Sequence, residues 1–196
     1  MRRTRKRKLW DTFRASIALI TLITVATGAH AESKTDPIET KLGTIVGIQD
    51  GNVQVFQGIR YAEPPTGDRR FMPPRAASGW DGTLEATAYP NHAMQAPSGS
   101  DVLPGEHGEI SEDCLFLNIY TPSTEGKSRP VLFWIHGGSF TGGSANGYDG
   151  SVLAEQGDVV VVINYRLGVF GFLNLAEQGD AFAGSAMNGI RDQILA

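Results

Sequence analysis

Residues 130–143 read Pro-Val-Leu-Phe-Trp-Ile-His-Gly-Gly-Ser-Phe-Thr-Gly-Gly. Five apolar residues, Val131 to Ile135, run straight into His136, Gly137, Gly138 and Ser139. An apolar run of that length predicts a buried strand of the kind found inside a parallel sheet. The glycines after it let the backbone turn sharply and leave peptide N–H groups uncovered by side chains. Bare N–H groups at a strand end can hold the negative charge that develops on a carbonyl oxygen during acyl transfer.

The elements that must position this turn can be read on either side of it. Residues 43–48 and 53–59 flank Gln49-Asp50-Gly51-Asn52, and Asp-Gly between two apolar-rich runs predicts a hairpin. Pro64, Pro65, Pro73 and Pro74 mark irregular chain, excluded from helices and central strands. Trp80-Asp81-Gly82-Thr83 opens a short extended piece, and residues 96–110 read as a long loop. Residues 114–120 predict a strand stopped by Pro122, followed by a polar turn at 123–129. A short helix is expected at 151–156 and a β-branched apolar strand at 159–165. Gly168, Phe170, Gly171 and Phe172 then cluster, and residues 188–196 read as the opening of a helix. Two apolar strands joined by a helical piece imply an α/β sheet, and the preceding hairpin and meander imply an antiparallel edge on it.

The chain has 196 residues, 41% of them hydrophobic and 19% charged, which suits one globular domain. Its first 31 residues stand apart. A basic head (Arg2, Arg3, Arg5, Lys6, Arg7, Lys8) precedes an uncharged stretch, 15–31, whose centre is apolar and whose end is Ala29-His30-Ala31. This predicts a secretory signal peptide over 1–31, cleaved after Ala31, and a secreted or periplasmic mature chain over 32–196 with no membrane attachment. The leader holds seven basic side chains and one acidic one, so the formal charge of −4 becomes −10 once it is removed. An acidic chain without a basic stripe is not built to bind nucleic acid. Cys114 is the single cysteine, which rules out an internal disulfide and a cysteine-rich zinc site.

Four segments then carry a resemblance. They are Phe56-Gln-Gly-Ile-Arg-Tyr-Ala-Glu-Pro-Pro-Thr-Gly with Arg70-Phe71; Glu112-Asp113-Cys114-Leu115 through Asn118; Trp134-Ile-His-Gly-Gly-Ser-Phe; and Asn164-Tyr-Arg-Leu-Gly168 with Phe170-Gly-Phe172 and Gly189-Ile-Arg-Asp-Gln193. In that order and spacing the chain resembles the type-B carboxylesterases, which include cholinesterases and para-nitrobenzyl esterases. The resemblance implies the N-terminal portion of an α/β-hydrolase fold, with an antiparallel hairpin and meander leading into a parallel central sheet. It implies a carboxylic ester hydrolase acting on small-molecule esters through a serine, with no metal or organic cofactor.

The resemblance also assigns residues. Gly138 and Ser139 are expected to donate oxyanion-hole N–H groups, and Gly137 to allow the turn. In the family the nucleophile sits in Gly-x-Ser-x-Gly, and no serine of this chain has glycine at both −2 and +2. Ser128 is followed at +2 by Pro130, and Ser144 by Asn146. His136 belongs to the turn; His92 and His107 lie in loops with no acid or nucleophile at informative spacing, so no triad can be assembled. The chain thus reads as a segment that stops before the nucleophile elbow and is inactive alone. Arg70 and Glu112 are expected to pair as a structural salt bridge. Cys114 matches a family cysteine whose partner would stand at Ala93. The cross-link is therefore absent, and with it roughly 3 kcal/mol of loop-closure stabilisation. Asp192 and Gln193 receive a packing and anchoring role. The alternative reading is a non-catalytic, cholinesterase-like binding protein, or a truncated inactive product.

Overall fold

A computed structural model describes residues 33–96, 108–124, 126 and 128–196. The leader with its cleavage site, His107 and most of the 96–110 loop lie outside the described residues. The strands are β1 (Ser33–Lys34), β2 (Ile38–Thr40), β3 (Gly43–Val46), β4 (Ile48–Asp50), β5 (Val53–Arg60), β6 (Thr83–Glu85), β7 (His92–Ala93), β8 (Ile110–Ser111), β9 (Phe116–Thr121), β10 (Val131–Ile135) and β11 (Val159–Ile163). The α-helices are α1 (Ser151–Glu155), α2 (Gly168–Phe172) and α3 (Asn188–Leu195).

A six-stranded sheet in the order β1-β4-β5-β9-β11-β10 forms the body of the fold. Its first five strands pair antiparallel, while β10 and β11 run parallel, with Val131 opposite Val159 and Ile135 opposite Ile163. The two apolar runs therefore form the expected parallel pair, joined across α1. Ala154 on α1 is buried and packs with Tyr120, Val160 and Val162 on the sheet. On a second cluster, Leu115, Leu117, Ile163, Tyr165 and Leu167 pack with Tyr61 and Cys114. This neighbourhood is dry and pushes the Cys114 thiol far above its ordinary range, so Cys114 serves as a small core residue.

Two expectations need correction. The predicted hairpin is shorter than its apolar runs: β4 pairs with β5, but β3 leaves for a second sheet with β2 and β6. Gly47 is the branch point, its N–H donating to Thr35 Oγ1 (2.9 Å) and its carbonyl accepting from Thr35 N–H (3.0 Å). More consequentially, Val131–Ile135 is not a buried strand. It is the edge of the large sheet, with Val131 62% and Trp134 43% exposed. The strand buried between two neighbours is β11, flanked by β9 and β10. An apolar run reports that both faces of a strand are meant to be covered, not where the strand falls in the sheet order.

Candidate active site: the turn after the sixth-strand edge

At the C-terminal end of β10 the chain reverses through residues 136–143. Gly138 has φ +117°, Ser139 +55° and Phe140 +61°. Two consecutive non-glycine residues in the left-handed region are uncommon and mark a turn that its surroundings impose. The glycine the turn requires is Gly138: a Cβ there would strike the carbonyl of Gly142, whereas one on Gly137 would meet open space. The expectation that Gly137 allows the turn is corrected accordingly, and Gly137 has no left-handed φ.

What the turn does with its peptide groups follows from planarity. In a trans peptide the C=O of one residue and the N–H of the next point in opposite directions. The Gly137 carbonyl lies 2.8 Å from His136 Nδ1, so the N–H of Gly138 is aimed the other way. The Gly138 carbonyl accepts from Thr141 N–H (3.0 Å), Gly142 N–H (3.2 Å) and Thr141 Oγ1 (3.1 Å), so the N–H of Ser139 is likewise aimed outward. Among the described residues neither N–H has an acceptor, and both residues are exposed. Successive outward N–H groups of this kind form an anion-binding concavity.

His136 itself is buried, its ring stacked on Tyr165 at 4.5 Å. Burial lowers its pKa, with nearby His92 acting in the same direction and the Gly137 carbonyl against it. A neutral imidazole with its proton on Nδ1 satisfies that contact and keeps Nε2 free of charge. Tyr165 fixes the same segment from below by donating its hydroxyl to the His136 carbonyl (3.0 Å). The far side is tied by Gly168, whose N–H donates to Phe140 O (2.7 Å), while the Phe140 ring lies 4.9 Å from Phe172.

Buried asparagines connect the turn to the rest of the molecule. Asn164, at the end of β11, accepts the N–H of Ala145 and the hydroxyl of Ser144 on Oδ1, and its carbonyl accepts from Tyr61 Oη. Asn118 Nδ2 donates to Asn146 Oδ1, and Asn146 Nδ2 donates to Pro90 O. Composition and periodicity carry no trace of these roles, because each partner lies tens of residues away. The same holds for two ion pairs. Arg166 binds Asp192 through Nε, Nη2 and its backbone N–H, with both side chains almost wholly buried. Burial pushes the Asp192 carboxyl up, opposed by that arginine. Arg60 forms a bidentate pair with Asp113 (2.6 and 2.8 Å).

Arg70 and Glu112 also meet side on, at 2.5 and 2.6 Å, next to Phe71, Cys114 and Phe170. Asp192 thus acts as an anchor through Arg166, while Gln193 has no assigned partner for Nε2 among the described residues. His92 lies on β7, beside β8, and Ala93 and Cys114 share one core cluster. No group of three or more His, Cys, Asp or Glu side chains is placed to hold a metal among the described residues, and no helix there is long and apolar enough to cross a membrane.

Comparison with known proteins gives this geometry a context. The model of the Carboxylesterase family matches residues 34–196. The chain belongs to the carboxylesterase family. It is 42% identical over 165 residues to the para-nitrobenzyl esterase of Bacillus subtilis, covering 81% of this chain and 33% of that esterase. It is 47% identical over 154 residues to the phenmedipham hydrolase of Pseudarthrobacter oxydans, covering 74% and 31%. A solved carboxylesterase from Geobacillus stearothermophilus superposes with a TM-score of 0.74 at 45% identity, covering 82% of this chain and 33% of the other. The chain spans about a third of the length of the carboxylesterases it matches. Those solved relatives share the fold described above, so the mixed sheet is a portion of an α/β-hydrolase.

Proposed function

We propose that this chain is the N-terminal segment of an exported carboxylic ester hydrolase and supplies two donors of its oxyanion hole. A serine oxygen attacks the ester carbonyl carbon, the carbonyl π electrons move onto oxygen, and the N–H groups of Gly138 and Ser139 donate to that oxygen. Collapse of the intermediate, with the histidine returning to the leaving oxygen the proton it took from the serine, expels the alcohol and leaves an acyl-enzyme that water hydrolyses. The serine, its histidine and its acid are assigned to sequence following Ala196, since no serine here is framed as Gly-x-Ser-x-Gly. The substrate is a small-molecule ester; nucleic acid and membrane have no part in the reaction. Export is assigned to residues 1–31, with the mature chain secreted or periplasmic.

One observation carries this reading. Two consecutive peptides hold their carbonyls against the protein, on His136 and on Thr141 with Gly142, and turn their N–H groups outward at a strand end. Removing one donor of this type costs about 10²–10³ in rate. The protein expressed from its full reading frame should hydrolyse para-nitrophenyl acetate and be inactivated by a serine-directed phosphonate, whereas residues 32–196 alone should do neither. A well-folded full-length protein that turns over no ester would favour the non-catalytic binding protein instead.

A further inference from the structure

Gln95 holds the turn from outside by a contact that catalysis as described above does not use. Its side-chain amide reads both backbone groups of Gly143: Gly143 N–H donates to Gln95 Oε1 (2.8 Å), and Gln95 Nε2 donates to Gly143 O (2.9 Å). Nε2 also donates to Ala93 O (3.1 Å). Of the uncharged side chains, only an amide presents a donor and an acceptor side by side in this way, and only glutamine or asparagine offers one. Gly143 is where such a grip matters most, because its φ of +110° is one that glycine alone adopts freely.

The grip is transmitted by contact. A Cβ on Gly143 would lie 2.5 Å from Gly137 O and 2.5 Å from His136 Nδ1, so its backbone sits directly behind that hydrogen bond. Gly137 O belongs to the peptide that carries the Gly138 N–H. The segment bearing Gln95 is itself braced: His92 N–H donates to Glu109 O (2.9 Å), and Asn146 Nδ2 holds Pro90 O (2.7 Å). The chain of contact therefore runs from a fixed segment through Gln95 and Gly143 to the Gly137–Gly138 peptide.

We infer that Gln95 is a positioning residue of the oxyanion hole: it clamps Gly143 and thereby locks the peptide that presents the Gly138 N–H. This rests on the oxyanion reading proposed above. Without the clamp, Gly143 regains the freedom of a glycine and the turn samples orientations in which the N–H is turned away. Such a loss falls on the transition state, where charge is on the oxygen, and spares substrate binding.

Three variants of the full-length enzyme test this. Gln95→Met keeps the volume and removes all three bonds; Gln95→Glu keeps the shape and the acceptor but loses the donor to Gly143 O and Ala93 O; Gln95→Ala removes everything. Expected are a fall in kcat of about 10–100-fold for Gln95→Met and Gln95→Ala, a fall at least as large for Gln95→Glu, whose second oxygen would face the carbonyls of Gly143 and Ala93, and KM within about threefold throughout. Amide hydrogen exchange over residues 137–144 should quicken in the same order. A packing role predicts instead that Gln95→Met behaves as the wild type in both readouts, and that result overturns the inference. Unchanged exchange in all three overturns the clamp. Faster exchange with unchanged kcat overturns the positioning role. A wild type with no esterase turnover overturns the oxyanion reading beneath it, and exchange then still decides the clamp.

Discussion

His136 Nδ1 lies 2.8 Å from the carbonyl oxygen of the residue that follows it, Gly137, while its Nε2 is buried with no partner among the described residues. The pairing sets a tautomer and orients a peptide, while burial of the ring makes its charge unwelcome. The unfolded chain takes up a proton on this histidine near pH 6.5, and the folded protein refuses it until lower pH because burial lowers the pKa. Stability contributed by neutral His136 is therefore present above pH 6.5 and is lost as pH falls from there through the folded value. Thermal unfolding between pH 8 and 5 should show a decline of at most about 1.4 kcal/mol per pH unit from this group. In His136→Phe, which keeps a ring against Tyr165, the decline should be shallower; parallel curves for the two proteins would refute the assignment.

Gly138 and Gly137 should respond unequally to alanine. At Gly138 the methyl would collide with Gly142 O at a φ of +117°, so the turn must open. Gly138→Ala should lower kcat for para-nitrophenyl acetate by about 10²–10³. Gly137→Ala should lower it far less, since its methyl enters open space. Equal losses at the two positions would mean that the turn is held by something other than the contacts described.

The Arg166–Asp192 pair should behave as a buried ion pair with no slack. It joins the end of β11 to α3, and Arg166 Nη1 additionally donates to Met72 O (2.8 Å). Asp192→Ala leaves a guanidinium buried without its carboxylate, and chemical denaturation should show a loss of about 3–5 kcal/mol. A loss under about 1 kcal/mol would show that water or another acid reaches Arg166 freely.

The open edge of β10 sets how residues 32–196 behave on their own. Val131, Phe133, Trp134 and Ile135 are all exposed there, on a strand whose second edge is unpaired among the described residues. Exposed apolar edges recruit other strands. Expressed alone, this segment should self-associate in size-exclusion chromatography, and Val131→Lys with Phe133→Lys should shift it toward monomer. A monomeric segment without those substitutions would contradict this reading of the edge.

How much of this was legible beforehand varies with the range of the interaction. Strands β9, β10 and β11 and helices α1 and α3 announce themselves through runs of apolar residues and their stops, because those signals are local. The placing of β10 at the edge was not legible, since an apolar run is the same whether its neighbour is already present or still to be supplied. Gly138 was visible in the motif, but its left-handed φ, and Gly137's lack of need for one, depend on where Gly142 O falls. Asn164, Arg60 and Asp113 stood in the motifs, but their partners, like that of Gln95, were invisible: Gln95 meets a residue 48 positions away and Arg60 one 53 away. Such pairs are made by the topology, and one sequence holds no periodicity that reveals them.

The most direct measurement is a structure of the full-length protein inactivated by a phosphonate, whose phosphoryl oxygen stands in for the oxyanion. The account predicts that oxygen about 2.7–3.1 Å from the backbone nitrogens of both Gly138 and Ser139, with Gly137 O still on His136. An adduct whose oxygen lies away from both nitrogens, or a turn whose Gly138 N–H has swung back into the protein, would contradict it.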